Sequence, residues 1–194
     1  MAGLDAQKVM VGLPDQETTG AIHCAEIGTA LPTSVTATLT GFDSSGYVDT
    51  SGLQLTQTYS TADINEWSGG TVRTVLQSYK GELAWTEISI LDYEAACHAF
   101  GEENVSKVEA TTTHGEQITI NIGPHLPEAK SWAFRMKDGD RRMLVVVPNG
   151  QVTSVGTITF VAGEAIRLPI TLSCNVDSTG ESIYIYTDDG VVSA

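Results

Sequence analysis

The stretch Ser60–Leu76, STADINEWSGGTVRTVL, decides how the rest of this chain reads. An aspartate-led helical turn begins at Asp63 and ends on Trp67. The pair Gly69-Gly70 breaks the chain, and Thr71–Leu76 then reads as a strand of mixed polar and apolar residues, with Arg73 its one charge. A tryptophan closing a helical turn is ordinarily a core anchor, and an arginine on a strand is ordinarily solvated.

Outward from this block the dominant signal is period-two alternation, which marks half-buried strands. Ile118, Ile120 and Ile122 alternate with Thr119 and Asn121, and Trp132, Phe134 and Met136 with Ala133, Arg135 and Lys137. The longest series is Ile166, Leu168, Ile170, Leu172 and Cys174. Pro169 within it cannot donate a ladder hydrogen bond, which predicts an edge strand or a bulge. Met143–Val147 is apolar throughout and reads as buried on both faces. In Gly81–Leu91, Leu83 and Trp85 share one parity and Ile88 and Ile90 the other, which predicts a bulge or strong twist.

One helix is expected, starting at Tyr93. Asp92 can cap it, Glu94 suits the positive end of its dipole, and Gly101 can end it. Tyr93, Ala96, Cys97 and Phe100 form its expected core stripe. Asp138-Gly139 and Pro148-Asn149-Gly150 read as turns. One helix among so many strands implies a mainly β fold, a β-sandwich or barrel with the helix packed outside. Gly41–Gly52, GFDSSGYVDTSG, is long, polar and rich in glycine, and loops of that length are commonly functional.

The chain has 194 residues, enough to bury a core within a single domain. Its net charge is −14, and 16 acidic against 4 basic residues lie in positions 1–123. Without clustered lysine and arginine, tight binding to nucleic-acid phosphates is excluded. No apolar run approaches a membrane span, and the start lacks the pattern of a signal peptide. The three cysteines, Cys24, Cys97 and Cys174, are expected as free thiols in a reducing compartment.

Catalytic constellations are lacking in the sequence. Cys97 and His98 are adjacent on a helix and point about 100° apart, which separates nucleophile from base. Asp138-Gly139-Asp140 and Asp188-Asp189-Gly190 lack the spaced oxygen donors of a calcium loop and read as turns. No enzyme activity, metal or cofactor is expected.

The Ser60–Leu76 block resembles a signature of the major tail tube proteins of long-tailed (siphovirus-type) bacteriophages, particularly those of actinobacterial phages. The likeness extends through RTVLQSYKGELAWTEISILD and the helix at Tyr93, then through PEAKSWAFRMKDGDRRMLVVVPNGQVTSVGTITF. It implies a non-catalytic β-sandwich subunit forming hexameric rings that stack into a hollow tube conducting DNA during ejection. Its implied partners are further copies of itself, the tape measure, tail terminator and tail tip proteins, and double-stranded DNA in transit, with no membrane. The implied location is the virion tail, assembled in the host cytoplasm.

Under that reading residues 1–20 are an N-terminal arm and 41–52 an inter-ring loop, with Phe42, Asp43, Tyr47 and Asp49 as contact residues. Asp63, Trp67 and Arg73 serve packing or subunit contact. Glu82 and Glu87 are candidate acids of the bore, where an acidic wall would repel phosphate and keep DNA moving. The alternative is a non-catalytic binding module for carbohydrate or a receptor, which calls for an exposed aromatic platform.

Overall fold

The computed structural model describes residues 8–15 and 20–192; of the expected N-terminal arm, residues 1–7 and 16–19 lie outside them. The strands are β1 (Ile22–Glu26), β2 (Asp43–Ser44), β3 (Gln54–Asn65), β4 (Thr71–Glu87), β5 (Val105–Val108), β6 (Gln117–Ile120), β7 (Lys130–Asp138), β8 (Arg141–Val155), β9 (Leu168–Asn175) and β10 (Tyr184–Asp188). Between β4 and β5 lies α1 (Tyr93–Phe100). The main sheet runs β2-β1-β7-β8-β9-β4-β3, with β10 also on β8 and every pairing antiparallel; β5 and β6 pair separately.

This path folds over itself into a sandwich because β8 belongs to both layers. Its first half pairs with β7 and β10, and Asn149–Val155 pairs with β9. The side chains of β1, β7 and early β8 meet those of β4, β9 and late β8 across the core. Trp85 of β4 lies 5.4 Å from Trp132 and 5.3 Å from Phe134 of β7, centroid to centroid, the spacing at which tilted aromatic rings attract. The other face of β7 and β8 carries Ala133, Leu144 and Val146, covered by Leu31, Val35, Leu39 and Phe42. Leu144–Val147 is accordingly buried on both faces.

Three local expectations are corrected. Pro148-Asn149-Gly150 is no turn but the interior of β8, where the pairing with β7 shifts register. Gly150 is there for packing: a Cβ would meet Leu172 and Trp132 side-chain atoms at 2.8 Å. Pro169 lies on an interior strand, β9, between β8 and β4. Its carbonyl accepts from the Gly156 N–H just past the end of β8, so the missing N–H falls where the ladder has already stopped. The bulge is in β8, between Val152 and Ser154. Finally, β4 needs no phase change, since it ends at Glu87 and leaves Ile88 and Ile90 beyond it.

Helix α1 starts as expected, with Asp92 Oδ1 accepting from the Glu94 N–H at 3.1 Å. It ends at Gly101, whose φ of 86° favours glycine. Of the expected stripe, Ala96 is buried and Phe100 packs against the core, while Tyr93 and Cys97 are only half-buried; Ala95, His98 and Ala99 complete the buried face. Small alanines let the helix sit close, and His98 enters the core because a carboxylate waits for it. The hairpin at Asp138-Gly139 forms as expected, with Asp138 opposite Arg141.

Candidate assembly surfaces

The feature that dominates the surface is a two-stranded ribbon leaving the body. β9 pairs only with Gly81–Glu87 of β4, so from Thr71 to Lys80 that strand has β3 as its one ladder partner among the described residues. Nearly every residue of β3 is exposed on both faces, and so is the outer part of β4. Threonine, tyrosine, valine and isoleucine favour the extended backbone, and cross-strand pairs hold the ribbon without a core beneath it. Tyr59 lies opposite Tyr79 with ring centroids 5.2 Å apart, and Thr74 Oγ1 donates to Asp63 Oδ1 at 2.7 Å. Two register shifts, at Ser60/Thr61 and Ile64/Asn65, add twist.

The ribbon tip corrects the reading of Ser60–Leu76. Asp63 sits in β3, and no helical turn forms. Glu66 to Gly70 makes the reversal: the Gly69 N–H donates to the Glu66 carbonyl at 2.9 Å, and Gly69 has φ 90°. Trp67 is not a core anchor; at 104% relative exposure it stands free at the tip. Arg73 lies opposite Ile64 on the exposed strand. The structure thus gathers Asp63, Trp67 and Arg73 in the outer part of one ribbon.

Within the subunit the loop 41–52 lies against the body. Asp43 pairs with Cys24 as part of β2, and Phe42 packs under β7 and β8. The Tyr47 N–H donates to Ser89 Oγ at 3.0 Å, although its ring is exposed. The Asp49 N–H donates to the Thr86 carbonyl at 2.8 Å, and its carboxylate takes the Arg167 guanidinium at 3.0 Å, which holds its pKa below the usual range. The loop is strapped along the end of β4.

What fastens it is Glu87. Its side chain is 0% exposed, so it lines no bore. Parity places it with Leu83 and Trp85 on the core face of β4. Oε1 accepts from Ser45 Oγ at 3.0 Å and Trp85 Nε1 at 3.1 Å, and lies 3.3 Å from His98 Nδ1. Loop, strand and helix therefore converge on one carboxylate oxygen. Sequence reasoning missed this because a glutamate at core parity looks like the end of the alternation. Glu82, on the other face of β4, is partly exposed and paired with Lys80 at 2.8 Å.

Chemistry is scarce elsewhere. Burial pushes the Cys24 and Cys174 thiols up to about 12 and Cys97 up to about 11. No helix among the described residues is long and apolar enough to cross a membrane. Among known proteins, the family model described as phage tail tube protein matches residues 3–193 of the chain. No curated protein matches it significantly.

Proposed function

Because the chain belongs to the phage tail tube protein family, as the match over residues 3–193 shows, we propose that its β3–β4 ribbon is the element through which copies join into hexameric rings. The family makes it a structural component of the virion tail that assembles with itself and with other tail components. The rings stack into a tube through which DNA passes, and the chain acts as one tail-tube domain. Tape measure, terminator and tip proteins are its proposed partners, and the host cytoplasm is the site of assembly.

The observation that carries this reading is the pair of open ribbon edges. Among the described residues, the outer edge of β3 and the Thr71–Lys80 edge of β4 have no strand beside them in the subunit. Long free edges invite indiscriminate pairing, and closure between copies removes the hazard while fixing geometry. Asp63, Trp67 and Arg73 lie on that surface and are its proposed contact residues. The loop 41–52 supports the ribbon root from within the subunit.

Charge favours passage of DNA over its capture. Along the ribbon Asp63 and Glu66 are matched by Arg73 and Lys80, and the remainder is mostly threonine, serine, glutamine and apolar residues. Such a wall has no cation cluster to displace counterions from phosphate. Glu82 is the acid of β4 that remains partly exposed, and the −14 of the whole chain adds repulsion at low salt.

The test replaces residues 57–78 by a short Asn-Gly turn. The shortened protein is expected to fold, since both cores lie outside the segment, and to build no rods under negative-stain microscopy at concentrations where the full chain does. Rods or tails of normal length from the ribbonless protein would overturn the reading.

A further inference from the structure

The two outer faces of the sandwich differ. On β7 and early β8 the outward residues Ala133, Leu144 and Val146 are roofed by Leu31, Val35, Leu39 and Phe42. On β9 and β4 the outward residues, Thr171 and Ser173 beside Glu82 and Thr86, stay partly exposed. The ladder carries this bare face onto the ribbon, because directly opposed residues share a face and successive ones alternate. Ser173 is paired with Glu82 and Glu82 with Thr56, Lys80 with Thr58, and Ser78 with Ser60. The face is thus built of short hydroxyl side chains, and its charges there are Lys80 and Glu82, matched to each other at 2.8 Å.

The opposite face of the ribbon root is apolar. Leu55 is paired with Leu83 and Tyr59 with Tyr79, and Leu76 follows just past the first register shift, opposite Thr61. Leu55, Tyr59 and Leu76 are 40%, 59% and 55% exposed. This is the side on which the body lies: Ser182 Oγ donates to Tyr79 Oη at 3.3 Å, and Ile183 beside it packs on the core. The root is therefore two-faced, as a sheet between protein and water is.

We infer that the hydroxyl face of β9, β4 and the root half of β3 is the wall of the bore, and that double-stranded DNA slides past it. The inference rests on the tube reading above. Copies joined through their ribbon edges share one sheet, and the second layer of each copy, β1, β7 and early β8, lies on the apolar side of that sheet. A ring of such layers cannot stand inside a closed sheet and leave a passage. Closure therefore turns the bare face inward and lays the apolar face of each ribbon root against a neighbouring body. Beyond the register shift at Ser60/Thr61 the same face carries Ala62, Ile64 and Val75, so the wall is the half nearer the body.

Charge sets what this wall does. The −14 of the chain is carried elsewhere, and each copy contributes to this stretch one matched cation and anion. Without an unmatched lysine or arginine the wall displaces few counterions from phosphate, so the duplex is not held. Threonine is stiff at χ1, and it and serine are short and bind water, which leaves few long side chains to catch a moving strand. The passage is neutral and wet, not an acidic sleeve.

The test labels assembled full-length protein carrying Cys97→Ser. Thr58→Cys lies on the hydroxyl face and Gln57→Cys, opposite Gly81, on the apolar one; both positions are exposed in the free subunit. In tubes, Thr58→Cys should still react with N-ethylmaleimide but not with a maleimide carried on serum albumin, which is too wide for the passage. Gln57→Cys should lose both reactions under the neighbouring copy. Ser173→Cys, on the body part of the hydroxyl face, should behave as Thr58→Cys does and replaces it if that variant builds no tubes. A cationic methanethiosulfonate on the Thr58→Cys thiol should make the tubes carry short duplex DNA into the pellet at low salt and release it at high salt, and an anionic one should not. Reaction of the Thr58→Cys or Ser173→Cys thiol with the albumin carrier along the tubes would overturn the inference and leave ribbon assembly intact. So would a cationic form that holds no more duplex than the anionic one. Failure of the unmodified chain to build tubes would remove both readings.

Discussion

Glu87 Oε1 and His98 Nδ1 lie 3.3 Å apart at the centre of the subunit, with side chains 0% and 3% exposed. The same oxygen serves Ser45 and Trp85, so one carboxylate ties the loop 41–52, β4 and α1 together. Removing one partner of a buried pair strands the others, at a cost of ~3–5 kcal/mol. Glu87→Ala is therefore expected to lower the urea midpoint by that equivalent. Glu87→Gln, which keeps the shape and one acceptor, should lower it less. Equal midpoints for Glu87→Ala and the unmodified chain would refute the network's role.

Trp67→Ala should separate assembly from folding. The side chain makes no core contact, so thermal unfolding of the free subunit should stay within ~0.5 kcal/mol of the parent. Rods and tails should disappear. A variant with the parent's melting curve and full-length tails would show that the tip is idle.

Gly150→Ala tests the packing reading of what looked like a turn. The new methyl would press on Leu172 and Trp132, and overpacking of this kind costs ~1–3 kcal/mol. A lower melting temperature in calorimetry is expected. In a solvent-facing turn the same change would pass nearly unnoticed.

Acid sensitivity should trace in part to His23. Burial first, then the charges of Arg135 and His98, depress its pKa from 6.5 to about 4. The unfolded chain thus binds a proton before the folded one does. Stability is undiminished above pH 6.5 and falls as pH drops from about 6.5 toward 4, by about 3 kcal/mol in all. Denaturation series at pH 7, 5.5 and 4.5 should show this slope, and His23→Gln should flatten it.

The thiols should stay silent. With Cys24 and Cys174 raised to about 12 and Cys97 to about 11, little thiolate exists at pH 8. Iodoacetamide should label none of them in the folded subunit within an hour and all three in urea, as mass spectrometry would show.

The strands of the core were legible because one of their faces is apolar. Leu168–Cys174 alternates in burial as its sequence alternates in polarity. The cap at Asp92 and the hairpin at Gly139 were legible for a similar reason, as local chemistry with few solutions. The ribbon was not. With both faces in water, nothing in β3 distinguishes Asp63 on a strand from Asp63 opening a turn, and Trp67 reads as core because tryptophan is highly buried on average. Glu87 was misread because its partners, Ser45 and His98, are distant in the chain and adjacent only in the fold. Pro148-Asn149-Gly150 has turn composition, but the demand for close contact between Trp132 and Leu172 outweighed it.

The β4–β9 pairing has a consequence for synthesis. Gly81 waits for Cys174, which the ribosome adds long afterwards at ~5–20 residues per second. During that interval β4 is uncovered along its inner half as well as its outer half. Nascent chains on one messenger thus hold sticky, half-finished margins close together for seconds. Sealing comes only with β9, Leu168–Asn175 of 194 residues, so a chain stalled before it would keep that margin of β4 open.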